Sequence, residues 1–143
     1  MAFKAPARIR YVASPFHSPR PGGPGDISVI VMHETGSSGS PDAIAQWFRN
    51  PNARVSAHDI IGKTGRIVQS VRPSQQAWHA GPSSFKGRHH VNQFSIGIEM
   101  VNKSNGKDGV ADKYLNDWSD VYSRAAVNLR MECKRIGIDP ASL

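Results

Sequence analysis

Few side chains in this sequence can do chemistry: six histidines, one cysteine and a thin scatter of acids. None of the histidines (His17, His33, His58, His79, His89, His90) pairs at i, i+4 to clamp a metal from one helix face. "HETGS" begins like a zinc-protease helix, but Ser37 stands where the second histidine belongs and glycine breaks the turn, so that motif is excluded. There is no Gly-x-Ser-x-Gly elbow and no phosphate-binding Walker loop. Cys133 falls on the apolar stripe of a helical pattern and reads as core. His33 is different. It ends the apolar run of "VIVMHETGS", residues 29–37, and an imidazole at the carboxyl end of a strand stands where α/β sheets place their sites. By position alone, a ligand role and a structural role are evenly matched. His79, in "AWHAG", suits a wall that meets substrate, and suits equally a loop histidine that caps a carbonyl. Glu99 sits mid-strand, where a carboxylate either faces solvent or is buried and functional with a raised pKa. His89 and His90 are chain neighbours whose side chains diverge, so they read as solvated loop residues.

These residues need a scaffold to bring them together. "DISVIVMH", 26–33, is β-branched and nearly continuous, the pattern of a strand buried on both faces. Ser40-Pro41-Asp42 supplies an N-cap, a proline at the first helical position and a first-turn acid. Ile44, Trp47 and Phe48 then share a helix face, and Asn50-Pro51-Asn52 ends the helix. "VSAHDIIGKTGRIVQSV", 55–71, reads as a hairpin turning at Gly62-Lys63-Thr64-Gly65. "AWHAGPSSFKGRHHVNQ" is a long polar loop. "FSIGIEMVN", 94–102, alternates Phe94, Ile96, Ile98 and Met100 against Ser95, Gly97, Glu99 and Val101. An amphipathic helix is predicted from Asp112 to Ile136, with Leu115, Trp118, Tyr122, Ala125, Leu129 and Cys133 on one stripe and Gly137 at its C′ position.

The expected fold class is α/β, a single domain with a central mixed β-sheet flanked by helices, over residues 26–143. Residues 1–25 hold five of the ten prolines and no acid, and read as an extended Pro/Gly-rich basic arm. At 143 residues the chain can bury a real core, and its 38% hydrophobic and 20% charged content is ordinary for a globular protein. Neither a membrane span nor a signal-peptide apolar stretch is visible, so cytoplasmic synthesis is expected. A lone cysteine excludes an internal disulfide. The formal charge of +7 suggests a polyanionic partner without naming one. Nucleic acid is not expected, because no recognition helix, ribonucleoprotein aromatic motif or basic stripe is present.

"ISVIVMHETGS", "VSAHDIIGKTGRIVQSVRPSQQAWHAG" and "VNQFSIGIEMVN", in this order and followed by "YLNDWSDVYSRAAVNLRMECKRIGI", resemble the N-acetylmuramoyl-L-alanine amidase type 2 family. That family includes phage amidase-type lysozymes, muropeptide-recycling amidases and peptidoglycan-recognition proteins. The resemblance implies a zinc amidase that cleaves the bond between the lactyl group of N-acetylmuramic acid and L-alanine, in cell-wall lysis or recycling. It implies that His33 is a zinc ligand, that Glu99 is the catalytic acid/base, and that His79, Trp78 and His58 contact or line the substrate site. Zinc held by three protein ligands keeps a fourth position for water and lowers its pKa toward about 7. The family's other two ligands, a histidine and then an aspartate or cysteine, follow the long helix, so they are expected beyond Leu143. On this reading the C-terminal part is absent, and the chain alone binds its one zinc ion weakly. The alternative is a non-hydrolytic peptidoglycan-binding module or an inactive fragment. The expected partner is peptidoglycan or a muropeptide, met by a monomer, at the cell wall if the protein is of the phage type.

Overall fold

The structure is a computed structural model that describes residues 9–63 and 66–101. The predicted helix from Asp112 to Ile136, with Cys133 and Gly137, lies outside the described residues, as do residues 1–8 of the arm and Thr64–Gly65 of the hairpin loop. In chain order the elements are β1 Arg10–Tyr11, β2 His17–Pro19, β3 Val29–Glu34, α1 Pro41–Trp47, β4 Asp59–Ile61, β5 Ile67–Gln69, β6 Gln75–Ala77, β7 Ser84–Phe85, β8 Arg88–His89 and β9 Ser95–Met100. Single 3-10 turns occupy Pro24–Asp26 and Val91–Phe94.

Five strands make one mixed sheet in the order β1-β5-β4-β9-β3. β9 runs parallel to both β3 and β4, β5 returns antiparallel to β4, and β1 lies parallel to β5. This is the expected α/β architecture, with a mixed sheet and a helix against it. β9 is covered on both faces: Ile96 and Ile98 are buried on one side, Ser95 and Gly97 on the other. β3 departs from expectation. It is the sheet edge among the described residues, and Met32 is 40% exposed, so it is not a strand buried on both faces. A continuous β-branched run marks a strand, but it does not tell one with two strand neighbours from one with a single neighbour.

α1 forms where the capping signals place it. The Ser40 side chain accepts a hydrogen bond from the Ala43 N–H at 3.1 Å, and Pro41 and Asp42 follow in the first turn. Ala45 and Phe48 are buried, with Ile44 packed beside them, against Val12, Ala57, Ile60, Val68 and Val101. Trp47 does not join them and is 50% exposed. At roughly 100° per residue, Ile44, Ala45 and Phe48 cluster on one side while Trp47 turns away, which corrects the expected face. Asp42 also pairs with Arg66 at 2.8 Å and Arg10 at 3.3 Å, tying helix, hairpin and arm at the surface.

The basic arm does more than lie over the domain. From Arg10 onward it is sewn into the fold: β1 extends the main sheet, and β2 pairs with β6 from His17↔Ala77 to Pro19↔Gln75. Between these strands Ser14 donates its hydroxyl to the Phe48 carbonyl at 2.7 Å. β7 and β8 form a separate short hairpin, anchored by Arg88 to Asp26 at 2.7 Å.

Candidate active site

His33 and Glu99 meet because β3 and β9 are parallel and in register, pairing His33 directly with Glu99. Register partners present their side chains to the same face, about 5 Å apart across the ladder. Both stand near the carboxyl ends of their strands, the end at which parallel sheets hold their ligands. β6 then delivers Trp78 and His79 from the side. The His79 ring lies flat over Gly97, where a Cβ would fall 2.4 Å from His79 Cγ. Only glycine permits that approach.

His79 is held at both ring nitrogens and at its backbone N–H. Its Nδ1 is 2.9 Å from His33 Nε2, and its Nε2 is 2.9 Å from Ser95 Oγ. Asn92 Oδ1 accepts from the backbone N–H groups of both His79 and Ala80, at 3.2 and 2.9 Å. The rings of His33 and His79 meet edge-on, with centroids 5.2 Å apart. Behind them His58 is fully buried. Its Nδ1 accepts from the Gly97 N–H at 2.9 Å, so in the neutral ring Nε2 carries the proton and donates to the Gln75 carbonyl at 3.0 Å.

Burial dominates the electrostatics. It pushes the His58 pKa down to about 3, with the nearby Arg20 charge adding to the effect, and the His79 pKa to about 4, with His33 and Arg20 contributing. His33 is also lowered by burial. Three imidazoles are therefore neutral near pH 7. Glu99 moves the other way: burial raises it to about 7, and its Oε2 is buried with no hydrogen-bond partner among the described residues. A carboxyl poised there can take up and release a proton near neutrality. A groove of about 350 Å³ opens at His33 and His79, lined also by Val29, Val31, Phe85 and Val91 among others. That size suits a small ligand or a segment of a larger one. Trp78 is 38% exposed at the same end of β6, tilted at 44° against Phe16 and donating its Nε1–H to Ser18 Oγ at 3.1 Å.

No group of three His, Cys, Asp or Glu side chains among the described residues converges to hold a metal ion. Those residues alone do not fit zinc, whose sites take three or four ligands. Glu34, His58 and Asp59 do not complete a ligand set with His33 and His79.

The family model described as N-acetylmuramoyl-L-alanine amidase matches residues 23–142. The chain belongs to this family. Among curated relatives, this family member is 41% identical over 110 residues to the 1,6-anhydro-N-acetylmuramyl-L-alanine amidase AmpD of Citrobacter freundii, covering 66% of this chain and 58% of the relative. It is 39% identical over 107 residues to AmpD of Haemophilus influenzae, covering 64% and 58%. The chain thus spans under three fifths of the length of these relatives. The crystal structure of a selenomethionine AmpD derivative superposes with a TM-score of 0.67 at 35% identity, covering 92% of this chain and 77% of that one.

The amidase-family fold thus brings His33, His79 and Glu99 to one face of the sheet, with Trp78 next to His79 beyond the end of β6. It does not bring His58 to the surface. With no exposed area, His58 stands behind the wall, which removes the direct substrate contact expected of it. The sequence reading passed over four residues that shape this site. Gly97, Asn92 and Ser95 lie within the family-like "VNQFSIGIE" stretch, where only the glutamate was singled out. Arg20 lies in the proline-rich arm, where no local pattern marks it.

Proposed function

We propose that the chain forms the catalytic body of an N-acetylmuramoyl-L-alanine amidase. It hydrolyses the amide between the lactyl group of N-acetylmuramic acid and L-alanine, in 1,6-anhydro-muropeptides or in peptidoglycan. Family membership and the names borne by the relatives support the bond and the substrate class. The observation that carries the chemistry is Glu99, a half-buried carboxyl whose Oε2 has no partner among the described residues, paired in register with His33, which lines an apolar groove. In this reading the Glu99 carboxylate takes the proton of the attacking water and returns it to the departing L-alanine amine, so one group serves both half-steps. His79, neutral and fixed, forms the wall against which the scissile amide lies. Trp78 offers its exposed indole to the substrate beside it.

Zinc dependence belongs to the same proposal. His33 would contribute one imidazole, and the described residues do not supply the other donors. The protein is taken to act as a monomer, made in the cytoplasm, on muropeptides there or on the wall after release.

The test uses the full chain with an anhydro-muramyl peptide and with purified cell-wall sacculi, the products being read by mass spectrometry. Cleavage should yield a free lactyl carboxylate and a peptide beginning with L-alanine. Glu99→Gln should lower turnover on the order of 10²- to 10⁴-fold without loss of substrate binding. A chelator should abolish activity, and zinc should restore it. Cleavage of another bond, or full turnover by Glu99→Gln, overturns the assignment; activity that survives exhaustive chelation overturns its zinc component.

A further inference from the structure

Arg20 is a nearly buried cation, 6% exposed, at the end of β2. Its guanidinium is spent on backbone carbonyls. Nε donates to Pro73 O at 2.8 Å, Nη1 to Asn92 O at 3.0 Å and Gln93 O at 2.9 Å, and Nη2 to Ser95 O at 2.7 Å. The remaining Nη2 contact is His58 Nε2 at 2.9 Å. Burial lowers its pKa only to about 10, so it remains charged at neutral pH. A planar fork that reaches four carbonyls on two separate segments is a role an ammonium cannot fill.

The two ends of that clamp explain its place. Asn92 gives its main-chain carbonyl to Arg20 and its side-chain Oδ1 to the His79 and Ala80 N–H groups. Ser95 gives its carbonyl to Arg20 and its Oγ to the His79 ring. Each residue thus faces Arg20 with its backbone and His79 with its side chain. The segment carrying them leaves β8 through His90 in a left-handed conformation, makes a single 3-10 turn with Val91 and Phe94 buried, and enters β9 at Ser95. Arg20 satisfies the carbonyls at the end of that turn, where no further helix does so.

We infer that Arg20 is a positioning residue for the site: through Asn92 and Ser95 it fixes the ring of His79, and through His79 the ring of His33. This rests on the site assignment of the proposed function, while the spectroscopic part of its test is independent of the reaction. Arg20 touches no substrate; it sets where the His79 ring points, and through it the His33 ring.

The experiment compares the full-length protein with Arg20→Lys, Asn92→Ala and Ser95→Ala. Two-bond ¹H–¹⁵N spectra read the imidazole tautomers, and turnover is measured alongside. In the parent protein His33 and His79 should each show one tautomer. Arg20→Lys should move both toward averaged signals and lower kcat on the order of 10- to 100-fold, with KM within about two-fold. Asn92→Ala and Ser95→Ala leave Arg20 its carbonyl partners and should loosen His79 in the same way. Unchanged imidazole signals in a folded Arg20→Lys protein overturn the inference. If Arg20→Lys fails to fold, Arg20→Gln is read in its place, where an unchanged His79 ring overturns the inference and a loosened one supports it; a His79 ring fixed in both Asn92→Ala and Ser95→Ala overturns it as well. A parent protein with fixed tautomers but no amidase turnover fails the functional proposal alone.

Discussion

Replacing Gly97 by alanine adds one methyl group where the structure has no room for it. The new Cβ would stand 2.4, 2.5 and 2.7 Å from His79 Cγ, Cδ2 and Nδ1. Favourable carbon contacts begin near 3.5 Å, so the ring must withdraw by about 1 Å. It cannot do so freely, because Nδ1 is tied to His33 and Nε2 to Ser95, each at 2.9 Å. A shift of that size lengthens both bonds past useful range. Overpacking costs about 1–3 kcal/mol, and two lost hydrogen bonds cost about 0.5–1.5 kcal/mol each. The lower unfolded-state entropy of alanine returns about 0.4–1 kcal/mol. The net expectation is a loss of about 2–4 kcal/mol in urea unfolding, with displaced His79 imidazole resonances. Gly25→Ala is the control, since a Cβ there meets nothing within 4 Å. A Gly97→Ala protein within about 0.5 kcal/mol of the parent, with His79 signals unmoved, would refute the argued packing of that ring on β9.

Glu99 should leave a mark on stability as well as on turnover. Its folded pKa of about 7 exceeds the ordinary 4.5 of a glutamate, so the folded state holds its proton more tightly and stability falls as pH rises from about 4.5 through 7. Glu99→Gln should remove that slope and gain about 1–2 kcal/mol at pH 8 relative to pH 4, discounted for partial solvent access; parallel slopes in chemical denaturation would contradict it. Ser40→Ala deletes the α1 cap and should cost about 0.5–2 kcal/mol, read as a lower urea midpoint at unchanged slope. Phe48→Ala should cost about 3–5 kcal/mol while Trp47→Ala stays within about 0.5 kcal/mol, since only the first lies in the core; equal thermal shifts would contradict the helix orientation.

Much of the scaffold was legible because its signals are local. Ser40-Pro41-Asp42 announces a helix start whatever follows, and glycines between two β-rich runs announce a hairpin. His33 and Glu99 could be singled out, yet nothing local says that β9 pairs with β3 and puts them side by side. That is a property of strand order, and it emerges only when the sheet closes. The orientation of Trp47 was missed because the helix is short and only Ile44, Ala45 and Phe48 find a core. His58 misled for the opposite reason: a histidine in a family-like stretch suggests contact with substrate, while its actual service is to accept the Gly97 N–H from within. Arg20 carried no sequence signal, because its partners are carbonyls that every residue possesses.

The sheet order has a consequence for how the protein comes into being. β9 is the last of the five strands to be synthesised, yet it lies between β3 and β4. Until Ser95–Met100 leave the ribosome, the β-branched run of β3 has no neighbour and β4 has only its hairpin partner. Such long-range parallel pairing forms slowly and leaves apolar strand edges open in the meantime. His33 and Glu99 are joined in that same closing step, so a nascent chain stopped short of Ser95 has every other described strand of the sheet and none of the paired site.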